Sequence, residues 1–168
     1  SFRRHIATIW NNFASMKIKK ELNLVDYFQA NAKAYLEKNK DQTKFAYALN
    51  RMLKRIDQSE CMEKITVLRN EYVEKQTDAK TLLCAVDDKG HLMLTEKGMH
   101  IFTPENEIKA RHEHNRLNKE FAAELKKLSK TLVEIEPFFV DEKEVPKDLS
   151  FDEQEYFAGF VIQETIEK

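Results

Sequence analysis

The sequence predicts an α+β, mostly α protein, in which antiparallel helices carry a small three-stranded antiparallel meander between two long helices. The composition favours helix, because 34% of the residues are charged and only three are Gly and three Pro. Eleven Phe and five Tyr require burial and exclude a disordered chain. Two of the three glycines lie within 86–105, between two long charged segments. This placement predicts a local change from helix to tight turns.

The N-terminal residues 1–20 are predicted to form a basic amphipathic arm. They contain no acidic residue, and Ile6, Ile9, Trp10 and Phe13 recur at helical spacing. We expect a packing or oligomer-contact arm. A transit peptide or a membrane-surface helix has a similar pattern, and a native start at Met16 would make the preceding residues an upstream extension or a cloning remnant. Residues 21–168 are predicted to form a single helical α+β domain with an acidic C-terminal segment.

Two helices are predicted before the meander. The first follows Asn23 and ends near the KNKD cluster, and the second begins at Asp41. The apolar stripe of the second helix changes phase near the DQSE segment. Because Asp57 and Glu60 resemble a capping box, either a new helix starts there or a long helix bends. The helical pattern reaches roughly Gln76.

The segments DDKG and TEKG predict two hairpin turns with glycine in the left-handed position. They join Leu82–Val86, His91–Leu94 and Met99–Phe102 into a three-stranded meander. Both faces of this meander are largely apolar. We therefore expect one face to pack on helices and the other to meet another element or another subunit.

Capping signals predict the remaining elements. Thr103 followed by Pro104 starts a helix that runs to about residue 130. The TLVEIEP segment alternates like an edge strand that ends at its proline. Ser150 with Glu153 predicts a capping box before a final amphipathic helix that includes Tyr156 to Val161.

The charge is uneven along the chain. Residues 1–60 carry twelve Lys and Arg against six Asp and Glu, whereas residues 134–168 carry three against eleven. The acidic tail can dock on the basic segment of the same or a neighbouring chain, the basic end can attract nucleic acid, or both can be solvated faces. Arg51, Lys54 and Arg55 cluster on one predicted helix as candidate nucleic-acid contacts. The near-neutral net charge of −1 argues against a strong phosphate footprint.

No catalytic or metal-binding motif is present in the sequence. Glycine-rich phosphate loops and nucleophile elbows are absent, and His112 and His114 are two residues apart, so they point away from each other on a helix. Cys61 and Cys84 form no CxxC pair and are predicted to be buried thiols. We expect no cofactor and no enzymatic activity. No apolar run is long enough to span a bilayer, and we expect a cytoplasmic protein.

The layout also resembles a known family. The segments KFAYALNRML and LRNEY, a Gly-containing acidic turn, FTPENE and LSKTLVEIEP follow one another between Thr43 and Pro137. This order is similar to a family of small bacteriophage and prophage proteins catalogued as a domain of unknown function. The resemblance implies a phage-encoded, non-enzymatic protein concerned with virion assembly or with a host factor, in the cytoplasm of a bacterial host.

These observations predict a protein-interaction or assembly protein that forms a homo-oligomer and contacts a protein partner. The alternative is a nucleic-acid-associated regulatory protein that uses the basic N-terminal half, and a small enzyme with a site assembled across the fold ranks third. The predicted interaction residues are Ile9, Trp10, Phe13, Arg51, Lys54, Arg55, Met93, Met99 and Ile101.

Overall fold

A computed structural model describes residues 17–164 of the chain and confirms the predicted class, since it is mostly helical with a small antiparallel sheet. The described residues divide into two compact units. Of the described residues, 17–62 and 129–164 form the first unit, and Glu63–Leu128 form the second, which we call the hairpin unit. The single domain over 21–168 stays a prediction.

The elements follow in a simple order. In chain order they are β1 (Ile18–Glu21), α1 (Leu22–Lys38), α2 (Lys44–Ser59), α3 (Glu63–Leu83), α4 (Pro104–Ser129), β2 (Leu132–Ile135), a 3-10 helix (Glu142–Glu144) and α5 (Phe151–Phe157).

Aromatic side chains form the core of the first unit. Phe28 on α1, Phe45 on α2 and Phe157 on α5 are fully buried. The ring of Phe157 meets the rings of Phe28 and Phe45 edge-on, each with a centroid separation of 5.8 Å. Edge-to-face contacts of this kind stabilise a core beyond the apolar area that they bury. Phe157 thus joins the last helix to the first two.

The two-stranded sheet also belongs to the first unit and corrects one prediction. Residues 18–20 were assigned to the N-terminal arm, but Ile18–Glu21 is a strand paired antiparallel with β2. Ile18 lies opposite the buried Ile135, and Lys19 lies opposite Glu134. Cross-strand pairs of two apolar residues, and cross-strand pairs of opposite charge, both stabilise an antiparallel sheet. The edge strand predicted from TLVEIEP is confirmed as β2.

The helix boundaries before the hairpin differ in detail from the prediction. Helix α2 begins after Thr43, whose hydroxyl accepts a hydrogen bond from the Ala46 amide at 3.1 Å, and not at Asp41. It ends at a left-handed residue, Glu60, with φ 56°. Because α3 then begins at Glu63, the alternative of a new helix is right. Helix α3 continues past the predicted end at residue 76, since its last two turns contain no Gly or Pro.

The later capping signals are confirmed. The Asn106 amide donates to the Thr103 hydroxyl at 3.2 Å, and α4 begins at Pro104. The amide and side chain of Ser150 make both reciprocal bonds of the capping box with Glu153. The predicted continuation of α5 to Val161 is wrong, because a turn with Gly159 at φ 81° follows the helix.

Candidate protein-interaction surface

Helices α3 and α4 form an antiparallel hairpin. The rings of Tyr72 and Phe121 stack with centroids 4.5 Å apart, and the Asn106 amide nitrogen donates to the carbonyl of Leu83 at 3.1 Å. Residue numbers therefore rise along α3 as the numbers of their contacting residues on α4 fall, which means that the two helices run antiparallel. Among the described residues of the two helices, only Ile65, Gln76 and Leu117 are buried. The hairpin therefore has a thin apolar core.

A closed ring of hydrogen bonds fastens the middle of the hairpin. Gln76 Nε2 donates to the Tyr72 hydroxyl at 2.9 Å, and that hydroxyl donates to Asn118 Oδ1. Asn118 Nδ2 lies 3.1 Å from His114 Nε2, and His114 Nδ1 lies 3.1 Å from Gln76 Oε1. The amide orientations place the histidine proton on Nδ1, so each of the four side chains donates once and accepts once around the ring. We call this set the polar ring.

Residues 84–102 connect the end of α3 to the start of α4, and we call them the cap. Both predicted turns are confirmed. The Gly90 amide donates to the Asp87 carbonyl at 3.0 Å, and the Gly98 amide donates to the Thr95 carbonyl at 2.9 Å. Gly90 and Gly98 have φ values of 80° and 77°, the left-handed conformation that glycine adopts without strain.

The predicted open meander, however, is wrong. The cap contains isolated antiparallel bridges and no continuous strands, and Leu82 and Leu83 belong to α3. The amide of Met93 donates to the Ala85 carbonyl, that of Ile101 to the Met93 carbonyl, and that of Ala85 to the Ile101 carbonyl, at 2.7 to 2.9 Å. The first and third segments therefore pair directly with each other. The three segments close into a triangle, which has no separate inner and outer sheet faces.

Closure of the triangle leaves apolar side chains in solvent. Met99 is 63% exposed and Met93 is 41% exposed. The exposed apolar side chains of the cap are Val86, Leu92, Met93, Leu94 and Met99. Both turns and the three bridges fix the backbone that carries them. The cap is thus an apolar surface on a well-defined backbone, and such surfaces mark interaction sites in soluble proteins.

Replacing Gly90 or Gly98 with Val should destabilise the cap. No atom lies within 4 Å of the position that a Cβ would occupy at either glycine, so the cost is conformational and not steric. A β-branched residue held at positive φ costs about 1 kcal/mol or more. Thermal unfolding followed by circular dichroism measures the effect, with Lys89→Val and Lys97→Val as controls one residue earlier in each turn. Equal melting temperatures for the glycine and lysine variants would contradict this assignment.

The two cysteines are free thiols in different environments. The prediction of a buried thiol is confirmed for Cys84, whose sulfur lies 3.3 Å from the carbonyl oxygens of Ala85 and Met93. Cys61 is only half-buried and lies directly after the left-handed residue that ends α2. The thiol of Cys84 therefore contacts the backbone of the closed triangle.

The structure distributes the predicted interaction residues unevenly. Met93 and Met99 are exposed on the cap, whereas Ile101 is half-buried there. Ile9, Trp10 and Phe13 lie outside the described residues. The sequence prediction omitted three exposed residues of the cap, Val86, Leu92 and Leu94. Their alternating apolar pattern was the only signal for them in the sequence.

The three basic candidates on α2 have different environments. The Arg55 guanidinium donates to the carbonyls of Glu136 and Pro137 at 3.1 and 2.9 Å and lies 5.3 Å from the centre of the Phe138 ring. It therefore anchors the segment after β2 to α2. Lys54 is exposed, and Arg51 is half-buried.

Residues 17–164 contain no group of three or more His, Cys, Asp or Glu side chains arranged to hold a metal ion. Over the same range, no helix is both long enough and apolar enough to cross a membrane.

Comparisons of the chain with protein-family models, with curated proteins and with solved structures gave no match. The resemblance to the phage and prophage family therefore remains a prediction from the layout of residues 43–137.

Proposed function

We propose that this chain is a non-enzymatic protein-interaction protein that self-associates and contacts its partners through the cap. The observation that carries the proposal is the group of five apolar side chains exposed on the cap. Isolated apolar residues on a surface are ordinary, but several within one short closed segment are costly to leave in water. Covering them with a second protein surface removes that cost.

The backbone of the cap supports this proposal. Each turn is closed by backbone hydrogen bonds, and the Asp87 carboxylate also accepts from the amides of Lys89 and His91, both at 2.9 Å. A surface that is ordered before binding loses less conformational entropy on association than a flexible loop does. The cap therefore has the order expected of a binding surface.

The thin core of the hairpin also supports self-association. A pocket of about 290 Å³ on the hairpin has Leu68, Leu117 and Phe121 in its lining, together with the charged residues Glu71, Lys75, Glu120 and Glu124. Val67 and Val73 are exposed on α3. Most helical stability comes from packing of apolar faces, so a second copy would complete a core that two helices build only in part.

A phage or prophage origin is part of the proposal. It rests on the layout resemblance of residues 43–137 and implies a role in virion assembly or in binding a host factor. Nucleic-acid regulation is less well supported, because the guanidinium of Arg55 is already hydrogen bonded within the first unit.

Introducing charge into the cap should weaken self-association. In the double variant Met93→Lys, Met99→Lys, two cations replace exposed apolar side chains without disturbing the turns. We expect the dissociation constant of the oligomer to rise about tenfold or more, as for central interface residues. Static light scattering over a range of protein concentrations measures it. Leu132→Lys is a matched control, since Leu132 is 61% exposed and lies on β2 of the first unit.

Two results would contradict the proposed function. One is a monomer mass for the unaltered chain at every accessible concentration. The other is an unchanged dissociation constant for the double methionine variant while circular dichroism shows that the variant is folded.

A further inference from the structure

An aromatic pair of one exposed and one half-buried tyrosine lies beside two carboxylates on the first unit. Tyr27 of α1 and Tyr156 of α5 stack with centroids 5.0 Å apart and an interplanar angle of 27°. Tyr27 is 49% exposed. Asp152 is one helical turn before Tyr156, and Glu155 directly precedes it. We call these four residues the acidic-aromatic patch.

The negative charge of this patch is not neutralised locally. Neither Asp152 nor Glu155 forms an ion pair with any part of the chain that the structure describes. Residues 148–164 contain five acidic residues and no Lys, Arg or His. The pKa of Tyr156 is raised above its ordinary value, first by burial and then by the charges of Glu155 and Asp152. The carboxylates thus act on the ring without a compensating cation.

A complementary set of cations occurs on α2 of the same unit. Arg51 and Lys54 are three residues apart and therefore neighbours on the helix surface. Neither forms an ion pair within residues 17–164. The Nε atom of Arg51 is buried and has no hydrogen-bond partner in that range. A buried donor without a partner is unusual in a folded protein, and it contrasts with the satisfied guanidinium of Arg55.

We propose that Arg51 and Lys54 of one copy bind the acidic-aromatic patch of a second copy. The Asp152 and Glu155 carboxylates accept charge-assisted hydrogen bonds from the cations, and an exposed tyrosine ring face receives a guanidinium by a cation–π contact. Every copy carries both halves of the contact, so the association either closes as a two-fold dimer or continues from copy to copy. This inference rests on the proposed self-association, but it uses residues outside the cap.

The composition of the patch favours protein over nucleic acid as its occupant. Five acidic residues within 148–164 repel phosphate. The same chain supplies two cations, Arg51 and Lys54, to match the two carboxylates Asp152 and Glu155, which makes a second copy the simplest occupant. The bond between the copies should weaken as salt rises, because both halves carry exposed charge.

Exchange of charges between two variants tests the contact. We expect the acidic-side variant Asp152→Lys, Glu155→Lys and the basic-side variant Arg51→Glu, Lys54→Glu each to raise the dissociation constant of self-association about tenfold or more at low salt. A 1:1 mixture of the two variants should associate more tightly than either variant alone. In the mixed pair both contacts are complementary, one with the native charges and one with the charges reversed, whereas each variant alone brings like charges together. Sedimentation velocity of each variant and of the mixture measures this.

The control for net charge is Asp141→Lys, Glu142→Lys, which makes the same charge change at two exposed positions of the first unit outside the cap, the hairpin and the acidic-aromatic patch. The milder variant Asp152→Asn, Glu155→Gln removes the carboxylate charges and keeps similar side-chain shapes, so it tests the patch if the lysine variant does not fold. The inference is overturned if neither the acidic-side variant nor the basic-side variant changes the dissociation constant. It is also overturned if the 1:1 mixture associates no more tightly than each variant alone.

The cap variant Met93→Lys, Met99→Lys, measured in parallel, separates this inference from the proposed function. Loss of association in the cap variant alone overturns the contact between Arg51, Lys54 and the acidic-aromatic patch but supports the cap. Loss in the charge variants alone supports the contact and overturns the role of the cap. If the gel-shift affinity of duplex DNA falls when Arg51 and Lys54 are replaced while sedimentation is unchanged, those cations bind nucleic acid and the inference fails.

Discussion

Replacing Phe157 with Ala should lower the free energy of unfolding of the first unit by about 3–5 kcal/mol. The ring is fully buried and lies edge-on to the rings of Phe28, Phe45 and Tyr35. Its removal leaves a cavity that three surrounding aromatic rings cannot fill without leaving their own contacts. Phe157 is the last residue of a helix of seven residues, so the loss also loosens the attachment of that helix. Urea denaturation followed by far-ultraviolet circular dichroism measures the change.

Phe151→Ala provides a control on the same helix. Phe151 is 90% exposed, so its replacement should change the free energy of unfolding by no more than about 0.5 kcal/mol. Hydrogen exchange of amides in α1 and α2 locates the effect of the core variant. Similar stability of the Phe157 and Phe151 variants would show that the aromatic core is not the main support of the first unit.

Local signals in the sequence predicted the local features well. The Thr103 cap, the Ser150 and Glu153 capping box and the two glycine turns each depend on residues within four positions of one another. Capping hydrogen bonds and left-handed turn positions are set by side chains and backbone within that distance. These features can therefore be predicted without knowledge of the remainder of the fold.

Pairings between distant segments were not predictable in the same way. The strand Ile18–Glu21 pairs with Leu132–Ile135, and the short basic segment before α1 contains no local sign of that partner. The bridge between Cys84 and Phe102 closes the cap into a triangle, whereas a meander read from its turns alone pairs only successive segments. Antiparallel α3 and α4 bring Leu83 and Asn106 together, so the two ends of the cap start close to each other.

In the candidate surfaces, too, local features could be predicted from the sequence, whereas contacts between distant residues could not. Met93 and Met99 were identified because both faces of the predicted meander are largely apolar, so one face was expected to meet another element or subunit. Nothing in the sequence showed that the Arg55 guanidinium binds two carbonyls beyond β2. The pairing of Tyr27 with Tyr156 also joins distant parts of the chain. Its only sequence signal was the absence of basic residues from 148–164. The partner of a side chain depends on the tertiary fold, which a single sequence pattern does not determine.

Replacing Gln76 with Leu should lower the free energy of unfolding of the hairpin unit by about 1–3 kcal/mol, because it leaves polar groups without partners. Gln76 is the buried member of the polar ring, and it bonds to both Tyr72 and His114. Leucine fills similar space but neither donates to the Tyr72 hydroxyl nor accepts from His114 Nδ1. The apolar gain from leucine is small, since only two other residues of the helix pair are buried within the described chain. The cost of leaving the Tyr72 hydroxyl and His114 Nδ1 without a partner should therefore exceed the apolar gain, so the free energy of unfolding falls.

Glu74→Leu is the control for this substitution, because Glu74 is exposed on the same helix and has no part in the polar ring. Leucine there should leave the free energy of unfolding within about 0.5 kcal/mol of its original value. Hydrogen exchange of the α3 and α4 amides reports the stability of the hairpin directly. If these amides are as well protected from exchange in the Gln76 variant as in the Glu74 variant, apolar packing contributes more to the stability of the hairpin than the polar ring does. A loss confined to the Gln76 variant would show that the ring, more than the thin apolar core, holds α3 and α4 together beneath the cap.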